Sequence, residues 1–98
     1  MKVKILRSAT DDLVEGYRFY EQCAPGVGAY FLDSLYSDID SLVITAGMHP
    51  QAFGDYHRML SKRFPFAVYY RTSGNIARVY AVIDCRRNPT WIRQRLPK

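Results

Sequence analysis

Cationic and aromatic side chains crowd the second half of the chain, and the chemistry they suit is the capture of something negative. Arg58, Lys62, Arg78, Arg86 and Arg87 are interleaved with Tyr69, Tyr70, Tyr80 and Trp91. Guanidinium forks match phosphate and carboxylate oxygens, and aromatic faces stack on bases or anchor a partner peptide. Periodicity does not separate a nucleic acid from an acidic protein. The competing reading is that aromatic and β-branched residues on a sheet are its core. Asp84 lies among the cations, and its expected role is an internal ion pair that orients an arginine rather than general-base work. His49 and His57 belong to no recognisable constellation and are expected on loops or at the surface. The sequence has no nucleophile elbow, no phosphate-binding glycine loop and no HExxH helix, so neither cofactor nor metal is expected.

Charge is divided unevenly. From Met1 to Asp55 four Lys/Arg face eight Asp/Glu, a balance of −4; from Tyr56 to Lys98 ten Lys/Arg face Asp84 alone, a balance of +9. An acidic half joined to a basic half points to a surface that meets a polyanion or an acidic partner. The 98 residues, 48% of them hydrophobic, suffice for one domain spanning 1–98 and are too few for two. Cys23 and Cys85 are lone thiols without metal-ligand spacing, which suits a reducing compartment. No apolar run approaches the ~18 residues of a membrane span, so the expectation is a soluble, cytoplasmic protein with no membrane partner.

These side chains need a scaffold, and the pattern supplies one. Lys2 to Arg7 alternates apolar and basic residues as an edge strand does. Ser8-Ala9-Thr10-Asp11 reads as a capping box opening a first helix, with Leu13, Tyr17 and Tyr20 facing inward and a stop near Ala24-Pro25-Gly26. Phe31, Leu35, Ile39, Leu42 and Ala46 recur at helical spacing and form the stripe of a second helix, with Asp33, Ser34, Ser37, Asp38, Asp40 and Ser41 on its other face and Gly47 as its end. The short join between them predicts an antiparallel helical hairpin. Met48 to Asp55 reads as a loop. Strands are expected over 56–63, 66–72 and 76–85, with Val79, Ala81 and Ile83 facing the hairpin, and Trp91 to Leu96 as a short C-terminal helix. The predicted fold is α+β, of order β-α-α-β-β-β, an antiparallel sheet packed on a helical hairpin.

The order of local motifs resembles the RelE/ParE toxin superfamily. The residues that carry the likeness are Tyr20-Glu21, Pro25-Gly26, Phe31-Leu32, Arg58-x-Leu60, Phe64-Pro65-Phe66-Ala67-Val68-Tyr69-Tyr70, Ala81-Val82-Ile83 and Arg86-Arg87-Asn88-Pro89-x-Trp91. The resemblance implies the toxin of a bacterial type II toxin–antitoxin module, neutralised by a cognate antitoxin whose acidic tail wraps the helical hairpin and the basic sheet. On that reading the partner-binding residues are Arg58, Lys62, Arg78, Tyr80, Arg86, Arg87 and Trp91, with Phe31 and Leu35 on the hairpin. RelE-like members are ribosome-dependent mRNA endoribonucleases, and Arg58, Lys62, Arg86 and Arg87 would be their catalytic counterparts here. ParE-like members instead bind DNA gyrase. Ala67 stands where the ribonucleases carry an arginine, and Trp91 stands near their C-terminal tyrosine, where an indole N–H cannot act as a base. Asp84 replaces the histidine common in the ParE-like Val-x-His-x-Arg-Arg end. These departures favour the ParE-like branch, with the ribonuclease and a non-toxic interaction module as alternatives. The sequence sets no oligomeric state.

Overall fold

The computed structural model describes residues 1–97. Strand β1 (Lys2–Ile5) leads into helix α1 (Arg7–Cys23), α2 (Val27–Asp40) and the single turn α3 (Leu42–Thr45). Strands β2 (Gln51–Phe53), β3 (Tyr56–Leu60), β4 (Phe66–Ser73) and β5 (Ile76–Asp84) follow, and α4 (Pro89–Arg95) comes last. The sheet order is β1-β5-β4-β3-β2. The architecture is the α+β one expected, with two corrections. The sheet is mixed rather than antiparallel, because β1 runs parallel to β5. The stretch 48–55, expected as a loop, contains β2 paired with β3.

The α1–α2 hairpin is closed by one carboxylate. Glu21 accepts hydrogen bonds from the N–H groups of Gly26 at 3.1 Å and Gly28 at 3.0 Å, supplying from α1 the cap that α2 does not provide for itself. Gly26 turns the chain at φ 88°, a conformation that favours glycine. Gly28 permits close helix approach, since a Cβ there would lie 2.8 Å from the Tyr17 carbonyl oxygen and ring. The expected capping box at Ser8 does not form. α1 begins at Arg7 without a side-chain cap, and the Ser8 hydroxyl donates to the Tyr80 carbonyl instead, at 2.7 Å.

Leu13, Phe31, Leu35, Ile39 and Leu42 pack with Met59, Val68, Tyr70, Ala77, Val79 and Val82 to form the core between hairpin and sheet. Ser34 and Asp38, expected on the solvent face of α2, are buried. Asp38 accepts from the Ser61 hydroxyl at 2.7 Å and from the Lys62 N–H at 3.3 Å, which ties the β3–β4 turn to the helix. The polar face is therefore interrupted where the turn docks.

A second core lies on the opposite sheet face, where Tyr56, Ala67, Tyr69, Ala81 and Ile83 are covered by Ile92 and Leu96. A register shift creates it. Tyr69 pairs with Ala81 and Tyr70 with Val79, leaving Tyr80 as an extra residue on β5. Such a bulge inverts the alternation beyond it. Val79 faces the hairpin as expected, whereas Ala81 and Ile83 face α4. The last helix starts on Asn88-Pro89, with the Asn88 side chain accepting from the Thr90 N–H at 2.7 Å and proline at the first helical position.

Candidate functional site

The basic and aromatic residues singled out by sequence are carried by the α4 side of the sheet, by a groove beside α1 and by the β3–β4 turn. Arg58, Arg78 and Tyr80 belong to the sheet face on the α4 side. Arg58 is directly opposite Tyr69; burial raises the Tyr69 hydroxyl above its ordinary pKa, and the neighbouring Arg58 charge opposes that shift. Arg78 is directly opposite Arg71. The Arg71 guanidinium lies 4.0 Å over the Tyr56 ring and 5.3 Å from the Tyr80 ring. It also donates to the Pro97 carbonyl at 3.3 Å, which accepts a further hydrogen bond from the Tyr56 hydroxyl. Tyr80 meets Tyr56 edge to face, so the aromatic faces here are largely occupied by Arg71 and by one another.

The second surface is an open groove of about 390 Å³ between α1, the end of β5 and the start of α4. Phe19, Phe66 and Val82 give it apolar walls, Asp12 and Glu15 line it from α1, and Arg86, Arg87 and Trp91 close it from the other side. Arg86 is committed to Asp84, donating through Nε at 2.9 Å and through Nη2 at 2.6 Å. That pairing holds the Asp84 carboxyl below its usual pKa. The geometry is the arginine-orienting ion pair anticipated for Asp84. Arg87 instead lies 4.3 Å over the Trp91 ring, a cation–π contact that keeps the guanidinium edge available to a ligand.

Lys62 occupies the third location, the exposed β3–β4 turn, where its backbone is bound to Asp38. Phe31 and Leu35 are fully buried in the hairpin core and present no surface to a partner. Helical spacing marks an apolar stripe without distinguishing a buried face from a docking face.

Sequence reasoning missed Asp12, Arg95 and Arg71. Asp12 Oδ2 accepts from Arg95 Nη2 at 2.7 Å and from the Val82 N–H at 3.0 Å, fastening α4 to α1 and covering part of the β5 edge. Burial raises the Asp12 pKa despite the Arg95 pair. No local signal links residues 83 positions apart, whereas Arg71 was visible as one more cation on a strand.

The two histidines are structural. Gly47 N–H donates to the Tyr70 hydroxyl at 3.0 Å, and that hydroxyl shares a hydrogen bond with His49 Nδ1 at 2.5 Å. His57 stacks on Tyr70 and donates from Nδ1 to the His49 carbonyl at 2.7 Å. Burial, reinforced by the His57 charge, lowers the His49 pKa, which favours the neutral ring.

Among the described residues no helix is long and apolar enough to cross a membrane. No protein-family model matches the chain, and no curated protein matches it in sequence. Among solved structures, the fold matches a chain of the structure described as "Chromosomal ParDE TA system from P. aeruginosa". The TM-score is 0.79 at 19% identity, covering 86% of this chain and 95% of that one. Mixed sheet, helical hairpin and chain length thus define a ParE-like α+β fold.

Proposed function

We propose that this protein is the toxin of a type II toxin–antitoxin module that stabilises a plasmid or chromosome. In this reading it acts in the cytoplasm as a ParE-like inhibitor that binds DNA gyrase, and a cognate antitoxin with an acidic tail neutralises it. The observation that carries the reading is the fold shared over 86% of the chain with the ParDE structure. The nine-charge excess of the basic half adds a physical reason for an acidic partner.

Protein binding is favoured over RNA cleavage by how the cations are disposed. Electrostatic catalysis of phosphodiester cleavage needs donors converging on one developing charge, together with a general base within hydrogen-bond reach. Arg86 is engaged by Asp84, Arg58 lies against Tyr69, and Lys62 is held through its backbone to Asp38 on the exposed β3–β4 turn. Arg87 and Trp91, at the rim of the groove, are the residues we assign to the target or antitoxin contact.

The test is a supercoiling assay. Purified protein added to DNA gyrase is expected to inhibit supercoiling or trap cleaved DNA, with the antitoxin reversing the effect and Arg87→Ala weakening it. Untouched supercoiling at large molar excess, with mRNA cut on programmed ribosomes, would replace this reading with the ribonuclease one. Inactivity in both assays would leave the non-toxic interaction module.

A further inference from the structure

The segment that joins α3 to β2 is fastened to the sheet through one hydroxyl and two imidazoles. The Gly47 N–H donates to the buried Tyr70 hydroxyl at 3.0 Å, and His49 Nδ1 meets the same hydroxyl at 2.5 Å. His57, directly opposite Tyr70 on β3, stacks on its ring with centroids 5.0 Å apart. A carbonyl only accepts, so the 2.7 Å contact from His57 Nδ1 to the His49 carbonyl fixes a proton on that nitrogen. Just beyond, the Arg58 N–H donates to the Pro50 carbonyl at 2.9 Å, and Gln51 and Phe53 pair with His57 and Tyr56. Residues 47–50 thus hold β2 against the outer edge of β3.

The two imidazoles respond differently to an added proton. His57 takes one on Nε2, and its bond to the His49 carbonyl survives. His49 does not have that freedom. A neutral ring can accept the Tyr70 hydroxyl proton at Nδ1, whereas an imidazolium carries N–H on both nitrogens and accepts nothing. Burial raises the Tyr70 pKa, so the hydroxyl keeps its proton and faces two donors, Gly47 N–H and His49 Nδ1–H. Charge adds to the mismatch. His57 faces His49 from β3 and Tyr70 faces it from β4, while α3 and β2 carry no ionisable side chain and Arg58 lies against Tyr69. Burial first, and then the His57 charge, disfavour the charged form of His49.

We propose that His49 and Tyr70 form an acid-sensitive latch: protonation of His49 frees residues 46–53 from the sheet and uncovers the outer edge of β3, while the hairpin and strands β4 and β5 stay folded. Because the folded pKa of His49 lies below its ordinary 6.5, its contribution to the closed segment is full above that value and is lost as pH falls through it towards the lowered one. The latch is built from the fold alone and stands apart from the toxin assignment.

Amide exchange of the full chain, followed by NMR from about pH 8 to about pH 5, the range in which a histidine changes charge, tests it. Protection factors, which divide out the intrinsic pH dependence of exchange, should fall several-fold at Gly47 and Arg58 and hold steady at Val68 and Val79. His49→Gln, which cannot titrate, should keep the same protection at both ends of the range. Tyr70→Phe should leave Gly47 weakly protected throughout. Protection at Gly47 that does not change with pH in the native chain overturns the proposal. So does an equal fall in His49→Gln, which would put the trigger elsewhere, or a parallel loss at Val68 and Val79, which would make the event global acid unfolding.

Discussion

Replacing Asp12 separates the role of its charge from that of its geometry. A single oxygen, Oδ2, accepts both the Arg95 guanidinium and the Val82 N–H, and an asparagine Oδ1 in the same place can accept both. Asp12→Asn is therefore expected to lie within about 1 kcal/mol of the native chain, because the lost ion-pair attraction is offset by the desolvation that ionised Asp12 pays. Asp12→Ala removes the acceptor from two largely shielded donors and is expected to cost about 2–3 kcal/mol, a loss of roughly 10 °C or more in Tm for a domain of this size. Urea unfolding of the three proteins measures the difference, and faster exchange of the Val82 amide in Asp12→Ala alone localises it. The pH dependence has a definite sign. Burial raises the Asp12 pKa above 3.8, so the folded state holds the proton more tightly than the unfolded chain. This contribution is full below the unfolded pKa and is lost as pH rises through the raised folded value. Relative to the non-titrating Asp12→Asn, the native chain should gain stability as pH falls through that window. Equal damage from Asn and Ala, or a stability difference that moves the other way with pH, would refute the reasoning.

Three further outcomes follow from contacts of single residues. Glu21→Ala should destabilise the hairpin by about 2 kcal/mol in urea unfolding, since the charged acceptor of the Gly26 and Gly28 N–H groups is lost; Glu21→Gln should cost less. Gly28→Ala should cost about 1–3 kcal/mol by overpacking, because the added methyl meets the Tyr17 backbone carbonyl at 2.8 Å, and calorimetry reads it as a lowered Tm. Arg71→Ala should cost about 1–2 kcal/mol, removing the stack on Tyr56 and a donor to Pro97, with faster exchange of the Leu96 amide as its local signature.

The elements were legible in the sequence where one contact class dominated. Phe31, Leu35, Ile39 and Leu42 sit at helical spacing and all are buried, because one face of α2, continued into α3, meets one sheet. Phe66 to Ser73 and Ile76 to Asp84 read as strands because their turn, Gly74 with Asn75, interrupts two β-branched and aromatic runs. Other features depend on partners that spacing does not encode. The extra residue at Tyr80 inverts the face of Ala81 and Ile83, and nothing in an alternating run reports a bulge. β1 gives no sign of parallel pairing, since its edge-strand pattern is the same in either direction. Ser34 and Asp38 look solvent-facing by type, and Asp38 is buried because Ser61 and Lys62 arrive from another element. The candidate site shows the same division. Residue types announced a basic, aromatic half, but how Arg58, Lys62 and Arg86 are disposed is set by register, turn and ion pairing, which residue type does not encode.

The central claim is that this ParE-like fold serves as a toxin, and growth under controlled expression tests it most directly. The chain induced alone should arrest growth with a DNA-damage response and continuing translation, and co-expression of the product of an adjacent small reading frame with an acidic tail should restore growth. Normal growth of cells that accumulate the folded protein without that product would contradict the claim.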